Sequence, residues 1–363
     1  MALLAVLWWL ALAFTGVQIT TLLVNLWTFP VLRPAPQQNA SGVAILIPAR
    51  NEAATLPETL PRVLAQGAAV WVLDDNSEDE TATILKTFAA NHPHLHVLQG
   101  QALPSGWGGK NWACHQLSEV AAGDVLIFTD ADVFWQPGTL DALLAFKARE
   151  RAEFVSVWPR QLTKSFWERV TVPLIDQILL GALPYLGVRH LPFGSFSAGN
   201  GQLMLWTRPA YERVGGHAAF RAEVLEDVRM GQAAKAKGLH VGLSLGGAMM
   251  ATRMYRSDIA MWEGFSKNIL SAAGGRIGLV MAALLNTLVH SGSWLLGLVS
   301  PLWFLIGGLS LMQRLLTNFK TQRSLAETPL QIFVSLPIWR IAARTLSAKG
   351  AYSWKGRRYD GAP

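Results

Sequence analysis

Asp130 and Asp132 stand two residues apart, directly after the apolar run Val125-Leu126-Ile127-Phe128. In extended chain that spacing puts both carboxylates on one side. Their oxygens suit a hard divalent cation, and where phosphates are handled such an ion shares its coordination with phosphate oxygens. Aspartates are also ordinary loop residues after strands, so the pair needs support from the rest of the chain.

The elements that must position this pair read as alternating strands and helices between about Ala35 and Phe265. Short β-type runs fall at Val43 to Ile47, Val70 to Leu73, Leu95 to Leu98, Val125 to Phe128 and Phe154 to Trp158. A helix is expected to open at Ser77, with Glu80 at capping-box spacing, and to stop at Asn91 before Pro93. Fully apolar strands separated by helices predict a mostly parallel sheet covered on both faces, with ligands beyond the carboxyl ends of its strands. Polar residues gather at that edge. The first strand is followed by Pro48-Ala49-Arg50-Asn51-Glu52, the second by Asp74-Asp75-Asn76-Ser77, the fourth by Asp130-Ala131-Asp132. Each cluster alone has an explanation as turn or cap chemistry. Three at successive strand ends argue for a site.

In order and spacing these pieces, with Gly199-Asn200-Gly201 and Glu226-Asp227 further on, resemble the family-2 glycosyltransferases of the GT-A fold over roughly 200 residues. Gly106-Trp107-Gly108-Gly109-Lys110-Asn111-Trp112-Ala113 and Trp354-Lys355-Gly356-Arg357-Arg358-Tyr359 resemble more narrowly the membrane-bound members that glycosylate carotenoids or hopanoid-type lipids. The resemblance implies an α/β Rossmann-like mixed sheet and inverting transfer of a hexose from a nucleotide diphosphate sugar, a UDP-sugar above all. It implies that Asp130 and Asp132 hold Mg2+ or Mn2+ against the departing diphosphate, and that Asp227 and Glu226 are the catalytic pair, with Asp227 the base. Ala49, Arg50, Glu52, Asp75, Lys110, Asp130 and Ala131 would bind the nucleotide sugar. Gly199, Asn200 and Gly201 would line the donor sugar and acceptor. Acidic residues at a helix start also serve the helix dipole, and a loop lysine is often only solvated.

The composition places part of the chain in a membrane. Of 363 residues 51% are hydrophobic and only 15% charged, with a mean hydropathy of +0.27, against a usual charged share of about 25%. No Lys, Arg, Asp or Glu occurs from Ala2 to Leu32 or from Ile277 to Met312. The first stretch, without a basic segment before it or a cleavage pattern after it, reads as an anchor. The second, interrupted by His290-Ser291-Gly292-Ser293, has the length for a hairpin. The expected organisation is an anchor over residues 1–33, a cytoplasmic catalytic domain over 34–265, and over 266–363 a hairpin, an interfacial helix between Pro329 and Leu346, and a basic tail. Arg33, Arg314, Lys320, Arg323, Arg340, Arg344, Lys349, Lys355, Arg357 and Arg358 would all face the cytoplasm and anionic head groups. The formal charge of +7 therefore points to lipid and not to nucleic acid. The apolar segment Phe166 to Phe193 suits a lipid acceptor's approach or a packed core.

Many membrane-bound family members carry a Gln-x-x-Arg-Trp box after the base, whereas this chain has Trp262-Glu263-Gly264-Phe265-Ser266-Lys267-Asn268. Trp262 and Lys267 are the candidates for its aromatic wall and cation, and the altered order argues against processive polymer synthesis. Cys114 is the only cysteine, so no intramolecular disulfide forms. His92, His94 and His96 alternate without a carboxylate or thiolate partner and read as a solvated strand edge. Two other readings remain open on the residues: a metal-dependent nucleotidyltransferase, which also uses paired aspartates, and a non-catalytic membrane scaffold.

Overall fold

The computed structural model describes residues 2–347 and the antiparallel pair Tyr352–Trp354 with Arg357–Tyr359. Lys349, Lys355 and Gly356 lie outside the described residues. The chain forms two compact units. One comprises Pro30–Arg160 with Tyr185–Arg253, the other the segments up to Phe29, Gln161–Pro184 and from Met254 onward.

The first unit is built on a seven-stranded sheet. Its strands, in chain order, are β1 Val43–Ala49, β2 Ala69–Asp74, β3 Leu95–Gln99, β4 Val125–Thr129, β5 Phe154–Trp158, β6 Leu203–Thr207 and β7 Val241–Leu245. Their order across the sheet is β3-β2-β1-β4-β6-β5-β7. All adjacent pairs are parallel except those made by β6, which runs antiparallel to β4 and β5. The sheet is thus mixed and mostly parallel, as the unbroken apolar strands imply. Burial on both faces explains their composition: every residue of β5 and β7 is buried, and Trp206 stacks on Phe154 with ring centroids 4.1 Å apart. Burying such aromatic rings contributes about 1.5–3 kcal/mol each. On the other face, the helix Thr139–Glu150 turns Leu140, Leu143 and Phe146 into a core with Val155, Val157, Leu203 and Leu205.

Register brings the strand ends together. Ala49 lies opposite Asp74, Leu46 opposite Phe128, and Thr129 opposite Leu203. The loops after β1, β2 and β4 and the loop before β6 therefore share one edge.

One boundary moves. The helix after β2 spans Thr81–Asn91 and does not open at Ser77. The Ser77 hydroxyl is engaged elsewhere, accepting the Asn51 N–H at 2.9 Å, while Asp79 accepts the Thr81 N–H at 3.0 Å. Ser77 therefore ties two loops and Asp79 serves the helix entry.

The second unit is helical. Two helices among the described residues are long and apolar enough to cross a membrane, Ala2–Thr28 and Arg276–Gly297. The interruption expected at His290–Ser293 is not a break. A wide π-turn over Thr287–Gly292 carries the helix through, and the chain turns at Leu298–Leu302, where Pro301 cannot continue a helix. His290 is held there by Ser310 at 2.6 Å and Gln331 at 2.9 Å. Arg314 also departs from expectation. It is completely buried and donates to the Arg169 carbonyl at 2.6 Å, so it does not face head groups. The Phe166 to Phe193 segment forms the helices Phe166–Thr171, Pro173–Ala182 and Tyr185–His190, and Pro329 to Leu346 forms the end of a 3-10 turn and the helix Ser335–Ser347.

Candidate active site

The loops after β1 and β2 are laced to each other. The Arg50 guanidinium, 6% exposed, donates to the Asp75 carbonyl at 2.6 Å and the Asn76 carbonyl at 2.7 Å, and pairs with Glu78 at 3.2 Å. Asn51 and Asn76 both take the left-handed conformation, φ 53 and 54, which asparagine tolerates better than most residues. The Asn51 side chain then accepts the Glu78 N–H at 2.8 Å. Glu52 donates its N–H to the Thr81 hydroxyl, and Ala49 and Asp75 are buried at the strand ends. This lattice makes a fixed cradle beyond the carboxyl ends of β1 and β2, and the Arg50 charge is spent inside it.

Asp130 follows β4 and is anchored through its N–H on the Gln202 carbonyl at 3.3 Å. Its Oδ1 accepts the Lys110 ammonium at 2.6 Å, and the same ammonium donates to the Gly201 carbonyl at 3.0 Å. Lys110 sits in the first turn of the helix Gly109–Val120, which the glycines before it let approach the sheet edge. Burial by itself would lower the Lys110 pKa, but the charges of Asp130 and Glu226 outweigh it and raise it. The lysine is a permanent cation.

Asp227 lies in the first turn of the helix Glu226–Ala236. Its Oδ2 accepts the Gly201 N–H at 2.6 Å and its Oδ1 the Val228 N–H at 2.8 Å. Removal from water raises its pKa; the Lys110 charge and the two N–H donors oppose this, Asp130 adds to it, and the balance is a raised value. Packing here leaves no room for side chains on the facing loop. A methyl group on Gly199 would collide with the Asp227 carbonyl, and one on Gly231 would lie 2.5 Å from the Ala198 carbonyl. A methyl on Gly201 would meet Lys110 Nζ at 2.9 Å, Asp227 Oδ2 at 3.3 Å and Glu226 Oε1 at 3.5 Å. One point on the Gly201 backbone thus marks where a cation and two carboxylates converge.

Of the residues singled out by sequence, the structure brings Lys110, Asp130, Gly199, Asn200, Gly201, Glu226 and Asp227 into this cluster. Ala131 and Asp132 follow Asp130 in the turn to the short strand Val133–Trp135, where the Ala131 carbonyl accepts the Thr59 hydroxyl at 2.7 Å. Trp262 and Lys267 belong to the helix Asp258–Ala272 of the other unit, where Arg340 covers the Trp262 ring at 5.0 Å. Cys114 is a free, buried thiol. Among the described residues no group of three or more His, Cys, Asp or Glu is placed to hold a metal. The oxygen-only pair Asp130 and Asp132 still fits a hard cation whose remaining positions are filled by phosphate and water, and the ammonium drawn onto Asp130 shows that this point collects positive charge. Sequence reasoning gave no role to Asn111, whose partners are backbone groups about 110 residues further along.

The cluster of a cation and carboxylates lies at the carboxyl edge of a mostly parallel sheet, where such folds bind their ligands. The family model described as "Glycosyl transferase family 2" matches residues 44–229, more than half of the 363-residue chain, and the chain belongs to that family. It is a glycosyltransferase. It is similar to the 4,4'-diaponeurosporenoate glycosyltransferase of Staphylococcus aureus strain MRSA252, 26% identical over 350 residues that cover 89% of each chain. The protein of the same name from strain USA300 gives the same identity and coverage. Among solved structures the fold is similar to that of the mannosyltransferase PcManGT from Pyrobaculum calidifontis in complex with GDP-Man and Mn2+. That likeness has a TM-score of 0.56 at 16% identity and covers 94% of this chain and 99% of the other.

Proposed function

We propose that the protein is an inverting hexosyltransferase that moves a sugar from a nucleotide diphosphate donor, a UDP-sugar, to a lipid acceptor of the carotenoid or hopanoid kind at the cytoplasmic face of a membrane. The observation that carries this reading is the meeting of Lys110, Asp130, Glu226 and Asp227 at Gly201, beyond the carboxyl ends of the parallel strands.

In this reading the Ala49 to Glu52 loop and Asp75 seat the nucleoside, and Lys110 meets the diphosphate from the Asp130 side. The Gly199-Asn200-Gly201 loop presents backbone, without side chains at its two glycines, to the sugar. Asp227 takes the proton of the acceptor hydroxyl. Each of its oxygens accepts one backbone N–H and keeps a second lone pair for that proton. The freed acceptor oxygen forms its bond to the anomeric carbon from the face opposite the diphosphate. The bond from that carbon to the diphosphate oxygen breaks, and its electron pair leaves with the nucleoside diphosphate. Asp130 and Asp132 would hold Mg2+ or Mn2+, which when bound supplies positive charge to the departing diphosphate. Glu226, 8% exposed beside the base, adds negative charge that keeps Lys110 protonated. Trp262 and Lys267 are proposed for the acceptor side.

The membrane part of the reading is supported by the two apolar helices, Ala2–Thr28 and Arg276–Gly297. The acceptor class is supported by the name of the relative, a 4,4'-diaponeurosporenoate glycosyltransferase. Both are tested together by incubating membranes holding the protein with a panel of nucleotide sugars and a lipid extract, with and without chelator. Transfer of one sugar to an extractable lipid is the expected outcome. Transfer only to water, or nucleotide-sugar synthesis from a sugar phosphate and a nucleoside triphosphate, would overturn it.

A further inference from the structure

Asn111 follows Lys110 directly and is 2% exposed. Its Nδ2 lies within hydrogen-bond distance of three backbone carbonyls of one loop, Phe220 at 2.9 Å, Glu223 at 3.1 Å and Arg221 at 3.3 Å. The amide has two hydrogens, so one of them is shared. The Gly108 N–H adds a fourth bond, to the Arg221 carbonyl at 2.7 Å. Residues 221–223 are exposed, so hydrophobic burial does little to place them. Their position rests on these bonds, together with the Glu223 N–H donated to the Phe220 carbonyl at 3.0 Å and the exposed Arg229–Glu223 pair at 3.9 Å. Three residues further on the same loop becomes the helix that begins with Glu226 and Asp227.

We infer that Asn111 is a positioning residue for the base: through the 220–223 loop it fixes how far Asp227 stands from Asp130. The sequence-adjacent Lys110 holds the other end, bonded to Asp130 at 2.6 Å and to the Gly201 carbonyl at 3.0 Å. Successive residues on a helix point about 100° apart, so one turn reaches in two directions at once. Lys110 ties that turn to the diphosphate side, and Asn111 ties it to the loop that delivers the base. The first turn of the helix Gly109–Val120 thereby acts as a spacer between leaving group and base.

This rests on Asp227 being the base, and the test separates the two claims. Asn111→Ala and Asp227→Asn are prepared in membranes, and turnover is expressed per nucleotide-binding site, counted by titration with UDP. Asn111→Ala is expected to keep UDP affinity and donor KM while turnover per site falls about 10²-fold, the cost of displacing a reacting group by an ångström or so. Transfer to lipid should fall more than donor hydrolysis, because a displaced base no longer meets the acceptor hydroxyl. A merely structural role would lower the number of sites and leave turnover per site unchanged, which would overturn the inference. Loss of UDP affinity in step with turnover would also overturn it, by making Asn111 part of the donor site. Should Asn111→Ala fail to fold, the uncharged Asn111→Ser, whose hydroxyl is one bond too short to span the three carbonyls, carries the same test. Transfer that survives in Asp227→Asn would instead overturn the assignment of the base.

Discussion

At the scale of single residues, the cluster sets the charge on Asp227 against that on Lys110. Asp227 is pushed above its ordinary value of 3.8, first by burial. A base works only when ionised, so kcat/KM should be low below the raised pKa and climb as pH rises through it. An acid limb at or below the ordinary carboxylate range would contradict this. Asp227→Asn keeps the shape and removes the base, and transfer should fall about 10²–10⁴-fold with the nucleotide still bound. Asp130→Ala acts differently, freeing Lys110 from its 2.6 Å partner and removing half of the proposed metal pair. Its activity should respond weakly to added Mn2+, whereas that of the unaltered protein should fall with chelator and return with Mg2+ or Mn2+. Equal metal responses of the two would count against Asp130 as a ligand.

At the scale of elements, glycines decide how closely the base helix can approach the sheet edge. Gly199→Ala would drive a methyl into the Asp227 carbonyl, backbone against side chain, so the helix Glu226–Ala236 must move. Activity should fall at least as far as in Asn111→Ala, and the melting temperature should drop. Gly201→Ala meets the flexible tip of Lys110 at 2.9 Å, so it should fold and lose turnover chiefly by displacing that ammonium. The strands at Val43, Val70, Val125 and Phe154 were legible because strands buried on both faces must be unbroken apolar runs, whereas Leu95–Gln99, the edge strand, buries only Leu95 and was legible from its alternating pattern. The helix entry was not legible at Ser77, because its hydroxyl is taken by Asn51 from another loop. The turn in the second apolar stretch was misplaced for a similar reason. His290, Ser291 and Ser293 read as polar breakers, but Ser310 and Gln331 hold His290 while Ser291 donates to the Ile332 carbonyl and Ser293 to the Val289 carbonyl, leaving Pro301 to end the helix. Asn111 escaped notice because backbone carbonyls leave no pattern in a sequence.

At the scale of the whole molecule, the helical unit reverses the usual distribution of polarity. Its helix Ala2–Thr28 exposes Leu3, Val6, Trp9, Val17 and, at 90%, Trp27, and the segment from Arg276 exposes Ile277, Leu295, Leu298 and Val299. Buried between its helices are Thr15, Asn25, Gln313, Arg314 and Asn318. Asn25 donates to the Leu180 carbonyl at 2.8 Å and the Leu183 carbonyl at 2.9 Å, and Gln313 donates to Gln18 at 2.8 Å. Water rewards the opposite arrangement; hydrocarbon rewards this one, because polar groups there must find partners within the protein and apolar side chains lose nothing by facing outward. The prediction is that the protein stays with the membrane through an alkaline carbonate wash and leaves it only in detergent. Arg314→Leu should weaken it in that detergent by about 1–3 kcal/mol, because the Arg169 carbonyl and Gln331 lose their donor in a place water does not reach. Trp27→Ser, on the outer face, should leave the melting temperature nearly unchanged, since its ring packs on no protein neighbour that holds the unit together. Release into the soluble fraction by carbonate alone would refute lipid as the partner of that outer face, and the exposed leucines and valines would then need a protein to cover them.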